Sequence, residues 1–105
     1  MPNPRIEPLK KVLAIDPHDD VAWFGLGKAY MDDGNFEEAA NALRQCVTVK
    51  PTYSAAYFAL AQSLQTLNRL DECRTIIGTG IEVSTKNGDV MVTRNLEALM
   101  SALPS

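Results

Sequence analysis

The sequence predicts an all-helical fold made by repeating one helical hairpin, and three observations carry that prediction. First, an offset of 34 residues without a gap lays one half of the chain on the other: Pro17 on Pro51, Trp23 on Tyr57, Leu26 on Leu60, Gly27 on Ala61, Phe36 on Leu70, Ala39 on Cys73 and Val49 on Val83. Each pair keeps size class or apolar character. Second, the apolar residues recur at helical spacing, with Trp23, Leu26, Gly27 and Tyr30 on one stripe and Ala39, Leu43, Cys46 and Val47 on the next. Third, turn signals separate the stripes, Gly34-Asn35 between the first two and Pro51 after the second.

Taken in order, Leu9, Val12, Leu13 and Ile15 before Asp16-Pro17 reproduce the pattern that later ends in Val47, Val49, Lys50 and Pro51. This predicts a half repeat over 5–17, its helix starting late, near residue 7, or kinked there by Pro8. Leu9, Val12 and Leu13 are expected to pack inward, with Ile6 shielding little. The first full repeat covers 20–51, with helices over about 20–33 and 36–49. Asp19 or Asp20 caps its first helix, and Gly34-Asn35 supplies the left-handed residue that ends it. A second, more degenerate repeat covers 54–87, with helices over about 54–67 and 70–85; Asn68 stands where the first repeat has its turn glycine. Within it Gly78 and Gly80 each weaken the helix by about 1 kcal/mol relative to Ala. Over 89–103 a capping helix is predicted, begun by Asp89, with Val92, Leu96, Leu99, Met100 and Leu103 on one apolar stripe.

Composition narrows the function classes. A chain of 105 residues, 46% hydrophobic and 22% charged, is one folded domain with no room for a catalytic unit beside a binding one. With a net charge of −3 and no basic run longer than Lys10-Lys11, nucleic acid and anionic membranes are not expected partners. No apolar run marks a secretory leader or a spanning segment, so a cytoplasmic location is expected. Cys46 and Cys73 are too few for a disulfide framework and fall on apolar helix stripes, which makes them packing residues.

Trp23-x2-Leu26-Gly27-x2-Tyr30, followed by Gly34, Ala39 and Pro51, resembles the tetratricopeptide repeat signature at its characteristic period. The resemblance implies a right-handed α-α superhelix of antiparallel helix pairs that binds peptides or proteins on its concave side, with no chemistry of its own. In that family the concave groove is lined by the first helix of each hairpin. The matching residues here are Val21, Phe24, Lys28, Met31 and Asp32, then Ala55, Phe58, Gln62, Gln65 and Thr66. Val21, Phe24, Lys28, Met31, Phe58, Gln62 and Gln65 are therefore the candidate partner-binding residues. The rings and Met31 would give exposed apolar contacts, the glutamine amides would bond an extended backbone, and Lys28 would meet a carboxylate. Family members that grip the acidic tails of heat-shock chaperones use a clamp of Lys, Asn and Arg on this face. Phe24, Ala55 and Ala59 stand where that clamp needs polar groups, so an apolar reading of the ligand is expected. The partner is thus a protein or peptide. As the alternative, the groove or the amino-terminal edge is buried in a homodimer or larger self-assembly, and the half repeat or a second copy covers the groove's rings.

Other motifs reduce to structure. Asp16, His18, Asp19 and Asp20 include metal-ligand types, but their crowding around Pro17 reads as a turn and a helix cap. Asp32-Asp33-Gly34-Asn35 lacks the spaced ligands and closing Glu of a calcium loop, and Gly78-Thr79-Gly80 lacks the strand that precedes a phosphate loop. His18, the only histidine, sits in a loop while Cys46 and Cys73 lie on apolar helix faces, so no catalytic pair, no metal and no cofactor are expected.

Overall fold

The computed structural model describes residues 2–105 and contains six helices: α1 (Ile6–Ile15), α2 (Asp20–Asp32), α3 (Phe36–Val49), α4 (Ser54–Thr66), α5 (Leu70–Asn87) and α6 (Val90–Ala102). Short turns reverse the chain between successive helices. Every helix packs on its sequence neighbours, and beyond those only α2 with α4 and α4 with α6 make substantial contact. The body measures 39 × 28 × 19 Å, its thinnest dimension equal to two helix diameters, as a two-layer stack requires.

Local chemistry sets each boundary. The Asp19 carboxylate accepts from the amide of Ala22 at 3.0 Å and starts α2; Asn35 does the same for α3 through the amide of Glu38. Gly34 at φ 75° and Asn68 at φ 60° supply the left-handed residue of the two intra-hairpin turns. The repeated prolines have a matched role. Trp23 Nε1 donates to the carbonyl of Pro17 at 2.8 Å, and 34 residues later the Tyr57 hydroxyl donates to the carbonyl of Pro51 at 2.7 Å.

Two apolar clusters fill the interior. One joins α1, α2 and α3 through Ile6, Leu13, Leu26, Tyr30 and Ala42; the other joins α3 to α6 through Leu43, Leu60, Leu64, Ile77 and Leu96, all fully buried. Trp23 and Met31 pack against both and tie them together. Close approach depends on missing side chains. A Cβ on Gly27 would lie 2.5 Å from Leu43, and one on Gly80 would lie 2.7 Å from Tyr57 and 2.8 Å from Leu96. Cys46 and Cys73 are buried, donating to the carbonyls of Asp20 and Ala61. Burial pushes the Cys46 thiol up to about 12, which leaves it neutral and unreactive.

Two sequence expectations change, for α1 and for Asp89, and two details are added. α1 turns Ile6, Leu9 and Leu13 toward α2, so Ile6 is buried while Val12 faces outward on a side where no helix lies. Asp89 stands at the start of α6 but makes no capping bond; its carboxylate accepts instead from the hydroxyl of Ser54. α5 runs two residues past the expected 85 and ends at Gly88, φ 73°. Gly78 and Gly80, alike in sequence, differ in packing: a Cβ on Gly78 would meet nothing within 4 Å.

Candidate interaction surface

α2 and α4 are the first helices of the two hairpins and lie side by side. On α2, Val21, Phe24, Lys28 and Met31 fall within about 80° of one another at 100° per residue; on α4, Phe58, Gln62 and Gln65 fall on the equivalent face. These residues thus share one surface across the two helices. Val21 is exposed, whereas Phe24, Lys28, Met31, Phe58, Gln62 and Gln65 are half-buried.

The rings expected to stand free in the groove are seated instead. Phe24 stacks on Tyr53, with ring centroids 5.0 Å apart and planes inclined by 27°. Phe24, Met31 and Phe58 all pack against the central cluster. Part of the cover over Phe24 comes from Tyr53, in the turn before α4. Tyr53 is a groove residue that sequence reasoning missed, because it lies one residue outside its helix; its phenol is pushed up, mainly by burial.

The polar members remain available. Among the described residues, the side chains of Lys28, Gln62 and Gln65 make no hydrogen bond or ion pair within the chain. Asp32, at the end of the same face, is engaged by Arg5 at 2.9 Å, which pins the amino-terminal segment to the first hairpin turn. Around Pro17, the Asp16 carboxylate accepts from the amide of His18 and Asp19 caps α2, so these carboxylates hold the turn. Among the described residues no three His, Cys, Asp or Glu side chains converge as metal ligands. A second concavity, of about 590 Å³, lies between α1 and α3 over Trp23, Leu26 and Tyr30. Sequence offered only a faint signal for it, in the small Ala14 and Ala42 on its walls.

Over residues 6–45 and again over 30–90 the sequence matches the tetratricopeptide repeat (TPR) family. The chain belongs to that family. It is 33% identical over 98 residues to a TPR repeat-containing protein of Pseudomonas aeruginosa, a match that covers 93% of each chain. Among solved structures, this TPR chain superimposes with a TM-score of 0.83 on the TPR2B domain of yeast Sti1, solved as a pHsp70 complex. That likeness has 13% identity and covers 90% of this chain and 75% of the other. It superimposes with a TM-score of 0.77 on the first TPR of Spaghetti (RPAP3), bound to the HSP90 peptide SRMEEVD. There the identity is 23%, over 95% of this chain and 78% of the other. The architecture is therefore that of a TPR solenoid. Among the described residues no helix is long and apolar enough to cross a membrane.

Proposed function

We propose that this TPR chain is a non-catalytic, cytoplasmic adaptor that binds an extended peptide or a partner helix along the face shared by α2 and α4. One observation carries the reading: a seated apolar strip of Phe24, Met31 and Phe58 runs beside three polar side chains, Lys28, Gln62 and Gln65, that have no partner among the described residues. Rings held by stacking lose little freedom on binding, so their contact area is converted efficiently into affinity. The glutamine amides suit a peptide backbone, and Lys28 suits one carboxylate. The pHsp70 and HSP90-peptide complexes of similar TPR folds support a peptide as the class of ligand. Phe24, Ala55 and Ala59 favour a more apolar sequence than an acidic chaperone tail.

The test is selection of binding peptides from a random displayed library on the wild-type chain, followed by calorimetry on variants. Phe58→Ala and the Gln62→Ala/Gln65→Ala pair are each expected to weaken selected peptides about tenfold, equivalent to about 1.4 kcal/mol. Helical circular dichroism should be unchanged. Unaltered affinity in both variants refutes the groove.

A further inference from the structure

The 34-residue offset allows each position at the amino-terminal edge to be compared with its counterpart inside the array. Val12 is 41% exposed, whereas its counterpart Cys46 is fully buried; Pro8 is exposed, whereas Ala42 is buried. On α2, Val21 is 64% exposed and Gly25 half-buried, whereas on α4 Ala55 is half-buried and Ala59 buried. The difference has a single cause. Among the described residues α1 packs on α2 alone, and its outer side meets no other helix. The strip left open runs over Pro8, Val12, Ile15 and Val21 and holds three of the five large apolar residues exposed among those described.

We infer that a second copy of this chain covers that edge, α1 lying antiparallel on α1 about a two-fold axis. Three features select this occupant. Sequence-adjacent helices of this stack run antiparallel, which is also the direction a two-fold axis across α1 gives its copy. The charges on the rim are self-complementary: Glu7 and Lys11 are one turn apart on the same side of α1, symmetric about residue 9, so antiparallel pairing sets each Glu7 against Lys11 of the second copy. Lys11 has no ion pair among the described residues, and Glu7 has only a loose 3.9 Å contact with Lys10. The opposite end of the array does not fit the strip. α6 presents Arg94, Glu97 and Ser101 around its exposed Val90 and Met91, so head-to-tail stacking would bury those charges against Val12 and Pro8.

Sedimentation equilibrium on the full chain, from low micromolar to about 0.5 mM, is expected to show a concentration-dependent passage from monomer to dimer. Glu7→Lys and Lys11→Glu each turn two symmetric attractions into repulsions and should raise the dissociation constant about tenfold. The double reversal Glu7→Lys/Lys11→Glu should restore it to within about threefold, and Val12→Asp should abolish the dimer. All four changes sit on exposed positions, and circular dichroism verifies that each variant remains helical. A monomeric mass throughout the range overturns the inference, as does a mass that grows beyond the dimer. Silent single reversals or a double reversal that fails to rescue overturn it equally. Val21 borders both surfaces, but Val12→Asp leaves it and the rings of the α2–α4 face unchanged and should leave peptide binding intact, so the two readings are tested separately.

Discussion

Gly78 and Gly80 lie two residues apart in α5 and should answer the same substitution with opposite sign. Replacing either by Ala removes the backbone freedom that glycine lends the unfolded chain and favours the helix by about 1 kcal/mol. At Gly78 that is the whole effect, because the new Cβ meets nothing within 4 Å. At Gly80 the new Cβ would lie 2.7 Å from Tyr57 Cβ and 2.8 Å from a methyl of Leu96, against an optimum near 3.5 to 4.0 Å. Neither neighbour yields easily. Tyr57 is anchored through its hydroxyl to Pro51, and Leu96 is fully buried. Overpacking of this kind costs about 1 to 3 kcal/mol. Gly78→Ala is therefore expected to stabilise by about 0.5 to 1 kcal/mol and Gly80→Ala to destabilise by up to about 2. The helix-propensity contribution cancels in their difference, which isolates the close contact of α5 with α4 and α6. For a domain of this size 1 kcal/mol moves the melting temperature by about 4 °C or more, well resolved by circular dichroism at 222 nm. A Gly80→Ala chain as stable as Gly78→Ala would refute the packing account of this helix.

Two further outcomes follow from single residues. Burial holds the Cys46 thiol near 12 in the fold against an ordinary 9.0, so the unfolded chain loses its proton first. Stability is fully present below about pH 9 and falls as pH rises toward about 12, and urea midpoints across that range should fall less steeply in Cys46→Ala. Tyr53 and Tyr57, also pushed up mainly by burial, leave a residual slope of the same sign. At Asn68, φ 60° is a conformation that glycine adopts without strain, so Asn68→Gly should raise the melting temperature by a few degrees, whereas Asn68→Ala should lower it.

Most of the fold was legible because each repeat writes its rules locally. The stripe through Trp23, Leu26 and Tyr30, the cap at Asp19 and the left-handed turn at Gly34 each depend on residues within two helical turns of each other. What the sequence hid depends on partners far along the chain. Asp89 looks like a cap, yet its carboxylate finds Ser54, 35 residues away, once α4 and the α5–α6 turn come together. Ile6 and Val12 are equally apolar, and only the direction from which α2 approaches decides which is buried. The face shared by α2 and α4 was legible as a set of positions on two helices. The seating of Phe24 was not, because its partner Tyr53 belongs to a turn.

Trp23, the chain's single tryptophan, is tied by its indole N–H to Pro17, in the turn that joins α1 to α2. The emission of the protein is therefore a report from the seam where α1 and α2 meet the rest of the stack. Loss of α1 changes the surroundings of that indole while the cluster around Leu60 and Leu64 still holds α3 to α6 together. In a stack whose helices touch chiefly their neighbours, opening from an end requires fewer contacts to break than opening from the middle. Fluorescence would thus register the loosening of the first helix before helical absorption registers melting of the rest, and the separation between the two curves measures how strongly one layer of the stack depends on the next.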